Sequence, residues 1–135
     1  MKSKNTLIAA LTVVAAITFS FSTFNGGEPW VVPDKYVKMA NPVKGDAKAV
    51  ATGKKLYTKN CEECHGKKGL GDGSKASDLK VAPKDLSASA TQSQTDGALF
   101  YKISEGKGEM PKFKKDITDQ EDIWSIVNYI RTLKK

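Results

Sequence analysis

Two cysteines and a histidine stand together at Cys61-Glu62-Glu63-Cys64-His65, and they are the only cysteines and the only histidine among the 135 residues. Thiols three positions apart can each form a thioether with one vinyl group of a single haem. An imidazole directly after the second thiol then falls beneath the iron, and C-x-x-C-H is the spacing of a c-type haem attachment site. Other chemistries fit less well. A thioredoxin-like dithiol wants a strand–helix–strand setting with a cysteine at a helix start, and the sequence carries no such alternation. A structural zinc site wants four nitrogen or sulfur ligands, where this motif offers two thiols and one imidazole. A plain disulfide in an exported protein stays open as the alternative.

Iron held by His65 has a sixth position to fill. The donors beyond the amino-terminal segment are Met39, Met110 and the lysines. Met39 reads as core filler, the commonest use of methionine. Met110 sits in the loop Gly106-Lys107-Gly108-Glu109-Met110-Pro111, which is stiff enough to hold a thioether at a fixed point. Met/His ligation raises the haem potential and closes the iron to outside ligands. Such a site suits passing one electron and suits binding oxygen or peroxide poorly.

These donors need elements to position them. Asp46 can cap a helix in which Ala49, Gly53, Leu56 and Tyr57 share one face, and that helix runs into Cys61. Gly53 costs about 1 kcal/mol against alanine in mid-helix, which makes sense where another helix crosses very close. Gly66, Gly69, Gly71 and Gly73 then make a turning loop. It lacks the G-K-S/T ending and preceding strand of a phosphate cradle, and its glycines would let the backbone pass close to a flat macrocycle. One or two helical turns are expected over 75–80, with Pro83 in a polar loop reaching about Asp96. A short helix is expected over 97–105, burying Leu99, Phe100 and Ile103 and stopped by Gly106. The last helix is the clearest. Thr118 and Glu121 form a capping box, Ile123, Ile126, Val127, Ile130 and Leu133 form an apolar stripe flanked by Trp124 and Tyr129, and Lys134 and Lys135 suit the negative end of the dipole.

The rest of the chain frames this domain. Lys2 and Lys4 precede an apolar run from Leu7 to about Phe24. That is the pattern of a signal peptide over 1–22, cleaved after Ser22, or of an uncleaved membrane anchor. Either places the folded part outside the cytoplasm, in the periplasm or tethered to the outer face of the inner membrane. Residues 23–45 hold Pro29, Pro33 and Pro42 and read as an extended or turning arm. Trp30, Val31, Val32, Tyr36, Val37 and Met39 make the arm sticky: it packs on its own domain or docks onto a larger complex. The formal net charge is +7, or +5 with 20 basic against 15 acidic residues once the leader's two lysines are removed. That balance suits an anionic protein partner or an acidic membrane face. Nucleic acid is not expected, because there is one arginine and no helix interleaves basic and aromatic residues.

With these residues in hand, the chain resembles class I cytochromes c of the small bacterial monohaem kind. The resemblance rests on Gly53-Lys54-Lys55-Leu56-Tyr57, Cys61 to His65, Gly66, Gly71-Asp72-Gly73, Pro83, Met110-Pro111 and the Trp124…Tyr129-Ile130 helix. It covers about Asp46 to Leu133, within a haem domain drawn as 46–135. It implies an all-α cytochrome c fold, three to five helices wrapped around one haem c. Cys61 and Cys64 would hold the haem covalently, and His65 and Met110 would be the axial ligands of the iron. The first and last helices would cross with Gly53 near Trp124 or Tyr129. The Pro83 carbonyl would accept a hydrogen bond from the His65 ring, and Phe113 would pack near the haem. The implied function is that of a one-electron carrier between respiratory partners, not of an enzyme, with redox protein partners that present an acidic docking face. The alternative is a haem subunit of a larger membrane-associated dehydrogenase or oxidase complex. An open-iron enzyme or gas sensor would require Met110 not to bind. A domain of about 90 residues buries a modest core, so the chain without haem is expected to be largely unfolded.

Overall fold

The computed structural model describes residues 29–135; the leader expected over 1–22 lies outside the described residues. Six α-helical segments and two 3-10 turns follow one another, with no strand among the described residues. The α-segments are α1 (Asp34–Val37), α2 (Ala47–Asn60), α3 (Glu62–His65), α4 (Ser89–Gln92), α5 (Asp96–Glu105) and α6 (Gln120–Thr132). The fold is the expected all-α one. The count exceeds three to five because α1, α3 and α4 are single turns of four residues. Among the described residues no helix is long and apolar enough to cross a membrane.

α2 starts at Asp46, whose carboxylate accepts from Lys48 N–H at 2.7 Å and Ala49 N–H at 3.4 Å. α5 starts at Thr95, whose hydroxyl oxygen accepts from Ala98 N–H at 3.2 Å, and ends at Gly106 with φ 58°. For α6 the capping box is displaced by one residue: Asp119, not Thr118, caps the helix by accepting from Glu121 N–H at 2.9 Å. A carboxylate competes well with a hydroxyl for that role. The turns expected over 75–80 shrink to one 3-10 turn, Ala76–Asp78.

α2 and α6 pack face to face. A Cβ on Gly53 would run into the backbone carbonyl of Ser125 and stand 3.0 Å from Ile126 N. The close approach therefore falls on the Ser125–Ile126 peptide, one position on from Trp124. Tyr57, Ile123, Ile126 and Val127 are fully buried beside it, each such aliphatic side chain contributing roughly 1.5–3 kcal/mol. Phe100 stacks on Trp124 with centroids 4.2 Å apart, which joins α5 to α6.

The arm is not wholly extended, since α1 forms directly after Pro33. Proline's fixed φ is preorganised for a helix start and its missing N–H goes unneeded there, while its carbonyl accepts from Tyr36 N–H at 2.9 Å. The arm packs on its own domain. A Cβ on Gly97 would collide with the Tyr36 carbonyl, and Tyr36 lies against Tyr101 at 4.7 Å. Arg131 fastens the region: it donates to Asp96 Oδ1 from Nε at 2.8 Å and from a terminal nitrogen at 2.6 Å, and to the Gln92 and Gln94 carbonyls at 2.8 and 2.6 Å. Asn41 Nδ2 donates to Asp96 Oδ2 at 3.1 Å and to Asn128 Oδ1 at 2.8 Å, and Asn128 Nδ2 donates to the Val43 carbonyl at 2.6 Å.

Candidate functional site

The C-x-x-C-H residues occupy the junction of α2 and the single turn α3. Cys61 ends α2, its N–H donating to the Tyr57 carbonyl at 2.8 Å. Its own carbonyl accepts from His65 N–H at 2.9 Å and from Cys64 N–H at 3.2 Å, which closes the turn. Both thiols are unpaired, with Cys61 buried and Cys64 partly so. Burial, and next the nearby Cys64, pushes the Cys61 thiol up to about 12. A redox dithiol needs the opposite shift, because its thiolate is the reactive form.

The glycine loop clasps this turn. Gly71 N–H donates to the His65 carbonyl at 2.8 Å, Gly73 N–H to Cys64 at 3.2 Å, and Lys75 N–H to Glu63 at 2.7 Å. A Cβ on Gly73 would collide with the Glu62 and Glu63 carbonyls, and one on Gly71 with the Pro83 carbonyl. Gly71 and Gly73 thus permit the close approach of backbone to backbone. Tyr57 anchors the loop's start, its hydroxyl donating to the Gly66 carbonyl at 2.7 Å.

The His65 ring is held from the far side of the loop, and by a different residue from the one expected. Its Nδ1–H faces the Lys84 carbonyl at 3.3 Å, while the Pro83 carbonyl lies against Gly71. The acceptor is displaced by one residue because Gly71 takes the space beside Pro83. Burial lowers the His65 pKa, and the Lys84 contact opposes this more weakly. The neutral ring this favours is the metal-binding form, and with Nδ1 committed the other nitrogen, Nε2, is the one left for a metal.

Met110 lies in a tight four-residue turn. Lys107 and Met110 exchange backbone hydrogen bonds of 3.1 and 3.0 Å. Gly106 precedes the turn, and a Cβ there would strike the Met110 and Pro111 carbonyls. Met110 is partly buried against the apolar cluster that includes Cys61 and Phe113. Lys80 N–H donates to Glu109 Oε2 at 2.8 Å, so the segment that hangs from α3 through Lys75 also grips the methionine turn. The structure brings Cys61, Phe113 and Met110 to one apolar cluster, and connects Cys64 and His65 to it through the clasped turn. Lys84, the Lys80–Glu109 tie and the Arg131 fastening were not singled out in the sequence. For Arg131 a signal existed: it is the only arginine among 22 basic residues, and bidentate geometry is what arginine offers over lysine.

Residues 48–130 match the family model described as cytochrome c oxidase, cbb3-type, subunit III. The chain belongs to the class I cytochrome c family. This cytochrome is 33% identical over 90 residues to cytochrome c6 of Cladophora glomerata, a match covering 63% of this chain and 89% of that protein. Its fold is similar to that of a chain from the Kuenenia stuttgartiensis reducing HAO-like protein complex Kustc0457/Kustc0458, with TM-score 0.61 and 24% identity, covering 83% of this chain and 53% of that one. It is also similar to cytochrome cL of Methylophaga aminisulfidivorans, with TM-score 0.57 and 22% identity, covering 85% of this chain and 72% of that one. The family carries covalently attached haem c, and this is an electron-carrying c-type cytochrome. The residues present fit that group: two unpaired thiols one helical turn apart, an imidazole with Nδ1 facing the Lys84 carbonyl, and a thioether packed on the cluster that holds Cys61.

Proposed function

We propose that this cytochrome is a one-electron carrier between respiratory partners outside the cytoplasm, with Cys61 and Cys64 joined to the haem and His65 and Met110 as axial ligands. The observation that carries this is the clasped α3 turn, which presents two free thiols beside an imidazole whose Nδ1 is fixed by Lys84. Bound haem supplies the ferrous–ferric couple, and the protein supplies binding, orientation and tuning of the potential. Here α2 and α3 hold the attachment cysteines, the Pro83–Lys84 segment orients the imidazole, and the Gly106–Pro111 turn holds the thioether. The domain over 46–135 does this work, residues 29–45 of the 23–45 arm lie beside it, and the 1–22 leader directs export to the periplasm, cleaved or kept as a tether.

The partner is a redox protein with an acidic docking face. Among the lysines near the attachment turn and the methionine turn, Lys75 pairs with Glu63 at 2.5 Å and Lys114 with Glu105 at 2.7 Å. Lys67, Lys68 and Lys112 are exposed and carry the steering, which weakens as salt rises. Partner reduction rates indifferent to ionic strength would count against this.

Absorption spectra in both redox states test the assignment. The haem-loaded parent is expected to show c-type bands and a weak sulfur-to-iron band in the red, the latter absent from Met110→Ala. Rapid binding of carbon monoxide by the ferrous parent at neutral pH would refute Met110 ligation. A second reading, a haem subunit of a larger membrane-associated complex, draws on the oxidase-subunit family model and the complex-derived neighbour. Retention of a co-purifying membrane complex by the parent, and its loss on deleting 25–45, would favour that reading.

A further inference from the structure

The arm runs antiparallel along α5, and its contacts can be followed residue by residue. Asn41 bonds Asp96, and the Tyr36 and Met39 carbonyls press on Gly97. The Tyr36 ring lies on Tyr101 at 4.7 Å, and the Trp30 ring lies 5.4 Å from Lys102 Nζ. The Pro29 carbonyl accepts from Lys107 Nζ at 3.4 Å. As the arm's numbers fall from 41 to 29, those of its partners rise from 96 to 107. Lys107 is the residue that exchanges both backbone hydrogen bonds with Met110.

We infer that the arm is a brace for the axial-methionine turn, with Trp30 and Tyr36 as positioning residues. The inference rests on the proposal that Met110 binds the iron. Movement of the Gly106–Pro111 turn carries the thioether out of place, and that turn is joined to α5 at Glu105–Gly106. With the arm in place, α5 is flanked along its length, and Lys102 and Lys107 are each engaged by an arm residue. Without the Trp30 and Tyr36 rings, α5 and the turn are held from the α6 side and by the Lys80–Glu109 bond. Excursions in which the methionine lets go then become more frequent.

The test is the rate of carbon monoxide binding to the ferrous, haem-loaded full chain. That rate follows the population in which the sixth position is open. Trp30→Ala/Tyr36→Ala is expected to raise it about tenfold, the combined worth of a surface cation–π contact and an aromatic pair. Asn41→Ala, which loosens the other end of the arm, is expected to leave it near the parent rate. An unchanged rate in the double variant, or an equal rise in Asn41→Ala, overturns the brace. If the double variant does not fold, Trp30→Leu is read in its place, with a severalfold rise expected and an unchanged rate refuting. A parent that binds carbon monoxide as fast as an open iron overturns Met110 ligation and the brace with it. A slow parent with an unchanged variant overturns the brace alone.

Discussion

Replacing Gly53 by alanine tests the joint on which the site is built. The added methyl would lie inside contact distance of the Ser125 carbonyl and 3.0 Å from Ile126 N. Both neighbours are backbone, so no side chain can swing aside, and α2 and α6 have to part. Restoring an ordinary contact of about 3.5 Å takes a separation of more than about 1 Å, and a gap of 0.5–1 Å forfeits roughly a quarter to a half of the dispersion energy across it. The affected surface includes Tyr57, Ile126 and Val127, all fully buried. Overpacking of this kind costs about 1–3 kcal/mol, and rigid neighbours on both sides put the change at about 3. Helix propensity works the other way by about 1 kcal/mol. The net loss is therefore about 2 kcal/mol, or a fall in Tm of roughly 8–16 °C for a domain of this size. Thermal unfolding of the haem-loaded protein by far-UV circular dichroism measures it. Lys54→Ala, on the exposed face of the same helix, serves as a control expected to change little. A Gly53→Ala protein as stable as the parent would refute the claim that the close approach demands glycine.

Tyr57→Phe removes the donor to the buried Gly66 carbonyl and is expected to cost about 1–2 kcal/mol in urea unfolding. Burial is the main cause holding the Tyr57 pKa well above its usual value, with smaller contributions from Cys61, Tyr129, Glu62 and Asp72. The folded state thus keeps a proton that the unfolded chain loses near pH 10. This contribution is full below about pH 10 and declines as the pH rises from there toward Tyr57's own higher value; the slope should flatten in Tyr57→Phe. Arg131→Lys keeps the charge but offers three donors on one nitrogen in place of the planar fork that makes four hydrogen bonds to Asp96 and two carbonyls. It is expected to cost about 1–2 kcal/mol, and an unchanged denaturation midpoint would contradict the fastening role. Gly106→Ala puts a Cβ at φ 58° against the Met110 and Pro111 carbonyls. Weakening of the red absorption band with far-UV helicity retained is the expected result, and an unaltered band would show that the turn does not depend on this glycine.

The sequence disclosed what is written in local code. Asp46 and the Ala49–Gly53–Tyr57 spacing announce α2, and the Ile123–Ile130 stripe announces α6, because caps and helical periodicity involve only near neighbours. The cysteine pair and histidine are likewise contiguous. What escaped depends on partners distant in sequence. Lys84 replaces Pro83 as the His65 acceptor because Gly71 occupies the space beside Pro83, a matter of how two loops nest. Asp119 outcompetes Thr118 as a cap within a run where both are suitable. α1 was hidden by proline density, since Pro33 reads as a breaker until its place just ahead of the helix is known. Arg131 gave no local sign that its partners would come from the Gln92–Asp96 segment.

The antiparallel course of the arm has a practical consequence for wiring the protein to a surface. Pro29 contacts Lys107 in the methionine turn, whereas Lys135 lies 3.6 Å from Asp85, the neighbour of the residue that holds the histidine ring. A linker or fluorophore placed at residue 29 therefore loads the thioether's support, and one placed at Lys135 loads the imidazole's. Electrode attachment through one position or the other offers a handle on each of the two proposed axial ligands separately, and the two orientations should yield different electron-transfer rates from the same polypeptide.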